Sequence, residues 1–293
     1  MGNYFCGWYF KCQDERHTIA AIPACHGPGR EQEHSLQLLT GEGAWYVPYA
    51  HGQVKDGGTG LYAQIGGNIF CAQGMRLDIR TAALEASGLL RFGRPTPLQS
   101  DIMGPFRHVP FMQCRHSVVS MAHAVNGTLT VNGTVYRFEN ALGYLEGDRG
   151  RSFPREYLWT QTFFEGGSLM LSVADIPMGA FRFTGIISAV RWQGREYRLA
   201  TYSGARLERL RGGEVVVRQG GLRLTARLLE QRARSLRAPA AGRMARTIRE
   251  SPSCRAYYCL EQEGKPLLAF ETPRASFEYE YLKRDEYPRQ GAR

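Results

Sequence analysis

From Leu222 to Leu229 the chain reads LRLTARLL, with Leu222, Leu224, Ala226 and Leu228 on one parity and Arg223, Thr225 and Arg227 on the other. A period of two sends one set into a core and the other into water, which is the pattern of a half-buried strand. Similar short runs, cut by glycine turns, recur along the chain. His116 to Val125, Thr128 to Val131 and Thr134 to Phe138 are separated by Asn126-Gly127 and Asn132-Gly133, dipeptides that favour two-residue hairpins. Further runs follow at Ile186 to Trp192, Glu196 to Tyr202 and Val215 to Arg218, with turns at Gln193-Gly194, Gly212-Gly213 and Gly220-Gly221. The pattern predicts an all-β meander. Because a long meander must close or cover its edges, it predicts barrel-like units over one open sheet. Two short helices are expected, over Thr81 to Leu90 and Met244 to Glu250.

GWYFKCQDERHTIAAIPACHG at residues 7 to 27 echoes YLWTQTFFEGGSLMLSVADIPMG at 157 to 179. Each has an aromatic strand with Trp and a downstream Gln, a turn, then an alternating strand. With 293 residues available, the echo predicts two similar β domains, at 1-150 and 151-293.

Composition narrows the function classes. Hydrophobic content of 43% and charged content of 22% are those of a folded chain. The net charge of +10 invites a nucleic-acid reading, but only Lys11, Lys55, Lys265 and Lys283 are lysines, and the arginines are scattered without a basic helix or base-reading motif. No nucleic-acid partner is expected, while contact with acidic lipid as a peripheral protein stays open. No apolar run approaches the roughly twenty residues of a membrane-spanning helix, and the start lacks a signal-peptide pattern, so the expected location is the cytosol. Cys6 stands where an N-myristoylation signal after Gly2 would have Ser or Thr. The seven cysteines form no CxxC pair and the seven histidines no HExxH, so reduced thiols and no metal site are expected. No GxSxG elbow is present, and GQVKDGGTG (residues 52 to 60) lacks a phosphate-loop ending and reads as a hairpin turn or flap.

Candidate chemistry concentrates in GYLEGDRGRSFPREYLWTQ, residues 143 to 161. In an extended segment Tyr144, Glu146 and Asp148 point to one side. Two carboxylates at a low-dielectric mouth repel each other, so one would keep its proton as a general acid must. The alternative is a pair of turn acids neutralised by Arg149 and Arg151. Trp8, and Tyr157, Trp159 and Gln161 in the second half, either line a ligand cavity or fill a core. His116 and His123, seven apart, face opposite sides of a regular strand, so at most one lines a given cavity. His116, which shares its parity with Cys114 and Ser120, is the candidate that would position a substrate oxygen.

Four stretches carry a family resemblance: GWYFK (Gly7 to Lys11), MGPFRHVPFMQCRHSVVSMAH (Met103 to His123), the GYLEGDRGRSFPREYLWTQ segment, and LRAP (Leu236 to Pro239). In this order they resemble the tocopherol cyclase-like family, which is distantly similar to carotenoid hydratases and lipocalin-type cyclases. The resemblance implies two tandem lipocalin-like antiparallel β-barrels. It also implies cofactor-independent, acid-catalysed cyclisation or isomerisation of a hydrophobic prenylated, quinol-like substrate. Such a reaction protonates an alkene and captures the cation with a phenol oxygen, and needs a held proton, a dry cavity and aromatic faces, but no metal or redox cofactor. On this reading Asp148, Glu146 and His116 are catalytic, and Trp8, Trp159, Gln161, Tyr144 and Tyr157 bind substrate. A lipocalin-like carrier that binds an apolar ligand without transforming it is the alternative, because one barrel serves both.

Overall fold

The computed structural model describes residues 3–28, 32–55, 61–110, 112–178, 181–230 and 232–281. Gly2, Lys283, residues 56–60 of the expected flap and the end of the echo at Gly179 lie outside them. Eleven strands build the first sheet: β1 (Asn3–Gln13), β2 (Thr18–Pro28), β3 (Glu33–Thr40), β4 (Ala44–Tyr49), β5 (Gly52–Lys55), β6 (Tyr62–Ile65), β7 (Asn68–Cys71), β8 (Gly74–Arg80), β9 (Glu85–Phe92), β10 (Cys114–Val131) and β11 (Thr134–Gly150). The second contains β12 (Tyr157–Phe164), β13 (Gly167–Met178), β14 (Phe181–Trp192), β15 (Arg195–Ala200), β16 (Arg206–Arg211), β17 (Glu214–Gln219), β18 (Leu222–Glu230), β19 (Arg234–Ala240), β20 (Arg243–Gln262) and β21 (Lys265–Tyr279).

The strand orders are β4-β3-β2-β1-β11-β10-β9-β8-β7-β6-β5 and β15-β14-β13-β12-β21-β20-β18-β17-β16, with β19 paired to β20 off the second path. In each, sequence neighbours pair in turn, and the first strand of the meander pairs antiparallel with the last, β1 with β11 and β12 with β21. The break falls between the fourth and fifth strands both times, so each sheet is a meander curled back on itself, the first nearly closed. The all-β, lipocalin-like architecture is therefore the observed one. The echo also has a structural counterpart, since β1-β2 and β12-β13 open the two meanders in corresponding places.

The chain divides into two units, Met1–Phe153 with Arg234–Ile248, and Pro154–Ala233 with Arg249–Arg293. The segment 234–248, which the sequence reading puts in the second half, groups with the first unit. Its contacts show why. The buried Gln37 side chain donates to Arg237 O (2.9 Å) and accepts from Arg237 N (2.7 Å), while the Arg237 guanidinium lies 5.2 Å from the Tyr46 ring centre. Phe153 N donates to Pro239 O, and Gly27 N to Gly242 O.

Within the first unit Trp8, Phe10 and Cys12 of β1 join Leu36, Leu38, Phe70, Leu129, Phe138 and Leu145 in one core. In the second, Leu158, Leu171, Val190, Val217, Tyr258 and Phe277 belong to the corresponding cluster. β1, β2, β12 and β13 are buried over most of their length on both faces, polar residues such as Lys11, Thr160 and Gln161 included. The arginines of β16–β18 instead form exposed ladders, such as Arg223 between Glu208 (3.0 Å) and Glu261 (2.6 Å), the solvated sheet face that the alternation implies.

Three local expectations are corrected. Residues 85–92 and 243–262 are strands, so the helix-like spacings at Thr81 to Leu90 and Met244 to Glu250 are overridden by pairing with β8 and β10, and with β18, β19 and β21. Asn126-Gly127 is no turn. It sits inside β10, where Gly127 pairs with Leu90 on one side and Phe138 on the other; at the adjoining register shift the extra residue belongs to β11, where Asn140 has φ of 50°. Asn132-Gly133 is a true two-residue turn, with φ of 46° and 84°. No helix among the described residues is long and apolar enough to cross a membrane.

Candidate active site

The stretch GYLEGDRG is strand rather than loop, because β11 runs to Gly150 between β1 and β10. Directly opposed residues in an antiparallel ladder share a face. Trp8 opposes Gly147 and Phe10 opposes Leu145 on the core side, whereas Tyr9 opposes Glu146 and Lys11 opposes Tyr144 on the other. On β10, His116 opposes Asp148 and Val118 opposes Glu146. Tyr144, Glu146, Asp148 and His116 therefore meet on the face turned away from the core of their unit.

The side chains form a chain of contacts. Tyr144 Oη donates to Glu146 Oε2 (2.5 Å), Glu146 Oε2 lies 3.1 Å from His116 Nε2, and His116 Nδ1 lies 3.0 Å from Asp148 Oδ1. Cys114 Sγ donates to the same Asp148 oxygen at 3.4 Å. Tyr144 and Glu146 are buried, and the His116 and Asp148 side chains are 10% and 23% exposed, so solvent reaches the group from the Asp148 end.

Electrostatics follow from this packing. Burial opposes an imidazolium at His116, but the Glu146 and Asp148 carboxylates outweigh it and hold the ring well above the usual histidine range. Burial, and then Glu146, push the Tyr144 phenol well above its ordinary value, keeping it a donor. Burial and Asp148 do the same to the Cys114 thiol. An imidazolium between two carboxylates, one capped by a phenol, stores a mobile proton away from bulk water. The same set also has ligating capacity, since one ligand atom each from His116, Glu146 and Asp148 lie within 4.8 Å of one another.

His123 is separate. Two bulges in β10 fall between it and His116, adding residues in even number, and its ring packs on Gly143 and Phe92 at the core side. Burial lowers it to about 4. Above about pH 6.5 both folded and unfolded states carry it neutral; below, the unfolded chain takes the proton first, so stability falls with pH. Between about pH 7 and pH 5 this costs about 2 kcal/mol, with buried His26 and His34 shifted in the same direction. Urea unfolding at the two pH values checks this: His123→Gln flattens the dependence, and an unchanged slope would refute the assignment.

The remaining candidates are placed elsewhere. Trp8 lies on the core face of β1, its ring over Gly147, where an added Cβ would meet Cε3 at 2.4 Å. Tyr157, Trp159 and Gln161 share the face of β12 away from the second core, and all are buried. The two tryptophans that match in the echo thus face opposite ways relative to their own cores. Tyr157 Oη donates to Glu278 Oε2; Glu278 opposes Trp159 on one side and buried Glu250 on the other. Sequence reasoning missed both glutamates. The alternation in Phe277-Glu278-Tyr279 could have flagged Glu278, whereas the helix-like spacing around Glu250 concealed its strand.

No family model matches the chain. Over 183 residues, 59% of this chain and 36% of the other, it is 25% identical to a probable chloroplastic tocopherol cyclase of Oryza sativa subsp. japonica, and so spans little more than a third of that relative's length. Among solved structures it is similar to kievitone hydratase from Nectria haematococca (TM-score 0.54, 11% identity, 95% of this chain and 89% of that one). It is also similar to CghA in complex with Sch210972 (TM-score 0.62, 10% identity, 95% and 88%). These structural likenesses concern the fold.

Proposed function

We propose that this protein is an acid–base catalyst of the cyclase or hydratase kind. It adds an O–H group across a carbon–carbon double bond of a hydrophobic, prenylated quinol-like substrate. The observation that carries the reading is the His116 ring held between Glu146 and Asp148, with Tyr144 capping Glu146. Burying two carboxylates and an imidazole costs several kcal/mol unless each is satisfied, and a passive apolar carrier gains nothing from that expense. The rice relative, named a cyclase, and the fold neighbour named a hydratase support the same class.

In the proposed step Glu146 takes the Nε2 proton of His116 and passes it to the alkene carbon. The substrate phenol closes on the resulting cation and returns its proton to the pair. The ring forms with no net change in proton count. Asp148 fixes Nδ1, and Tyr144 orients the Glu146 carboxyl. Tyr157, Trp159 and Gln161, in the second unit, are proposed to contact apolar ligand, a role tested by binding to their Ala variants.

The test is incubation of the purified chain with prenylated quinols of several tail lengths in D2O. A ring-closed product carrying one solvent deuterium at the former alkene carbon is expected. Ligand recovered unchanged from a saturated protein, with no product from any quinol, would leave only the carrier.

A further inference from the structure

We propose that His116 and Glu146, oriented by Asp148, also form a binding site for a divalent transition metal of the zinc class. Nε2 and Oε2 are 3.1 Å apart, whereas two ligands of one tetrahedral ion, each about 2.0–2.1 Å from it, are about 3.3 Å apart. The pair is therefore already near a ligand spacing. The second observation is independent of distance: Nε2 is buried, and among the described residues no hydrogen-bond acceptor lies in line with it, although Oε2 is near. Its ring-plane direction is thus available to an ion set beside the carboxylate.

The other ring nitrogen is already committed as metal-binding histidines commit theirs. Nδ1 contacts Asp148 Oδ1 at 3.0 Å, the carboxylate–histidine arrangement that fixes the tautomer and leaves Nε2 as the ligating atom. Solvent reaching past the partly exposed Asp148 completes the coordination. Mixed nitrogen and oxygen donors suit zinc, cobalt or manganese better than copper(I), which prefers sulfur.

The 293-residue chain, stripped with EDTA, is dialysed against Zn2+ alone. Saturable uptake of one ion per chain is expected. His116→Gln and Glu146→Gln lose it, Asp148→Asn weakens it about 10–100-fold, and His17→Gln, which removes a half-buried histidine beside Asp14, retains it. Absence of saturable uptake by the wild type, or wild-type uptake by both ligand variants, overturns the proposal. Co2+ bound to the wild-type chain gives a readout that needs no variant: visible absorption of a nitrogen–oxygen site supports the proposal, and a spectrum of hydrated cobalt refutes it. One corollary rests on the proposed function: the ion displaces the proton that catalysis uses, so Zn2+ inhibits. Saturable binding with undisturbed turnover would remove the proton role and leave the metal site, while turnover without binding would do the reverse.

Discussion

Glu146→Gln is expected to lower ring-closing turnover about 10²–10⁴-fold, the span contributed by a positioned acid–base group. The amide keeps the shape and still accepts the Tyr144 hydrogen bond, but it can neither carry the proton nor balance the His116 imidazolium across 3.1 Å. The loss falls on kcat rather than KM, because the group acts on the reacting carbon more than on the bound ground state. Arg151→Ala, on an exposed side chain three residues past Asp148, the end of the contact chain, retains activity. Product formation and solvent-deuterium incorporation are measured side by side, with circular dichroism to confirm the sheet content. A Glu146→Gln protein within threefold of wild type would remove Glu146 from the mechanism.

The second large effect is on stability. Gly127→Ala is expected to cost about 3 kcal/mol or more, combining backbone strain with overpacking. Gly127 has φ +134°, and a Cβ there would lie 2.2 Å from Leu89 O, a backbone atom of β9 that cannot step aside without breaking its ladder. A melting temperature lower by roughly 10 °C follows. Gly133→Ala is the comparison: its φ is +84°, but nothing lies within 4 Å of the added carbon. Only strain of about 1–2 kcal/mol applies there. Equal losses in the two variants would show that Gly127 is not the clamped position described.

That contrast also marks where local sequence stops being informative. Asn126-Gly127 and Asn132-Gly133 are the same dipeptide, and both permit positive φ at the glycine. Which one turns the chain depends on whether partner strands continue on both sides, and β9 and β11 do so only at Gly127. The helix-like spacing near Met244 and Glu250 yielded for the same reason, since cross-strand hydrogen bonds from distant segments outweigh a few tenths of a kcal/mol per residue of local preference.

The sequence by itself determined the all-β class, the meander, the echo of β1-β2 in β12-β13, and the shared side of Tyr144, Glu146 and Asp148. Each depends on parity or turn chemistry, both carried by neighbouring residues. Only the tertiary structure decided that His116 stands between the two carboxylates. It also turned Trp8 and Trp159 in opposite senses to their cores, set Glu250 beside Glu278, and gave residues 234–248 to the first unit. Those facts rest on register between strands tens to hundreds of residues apart, where a slip of one position moves every side chain to the other face.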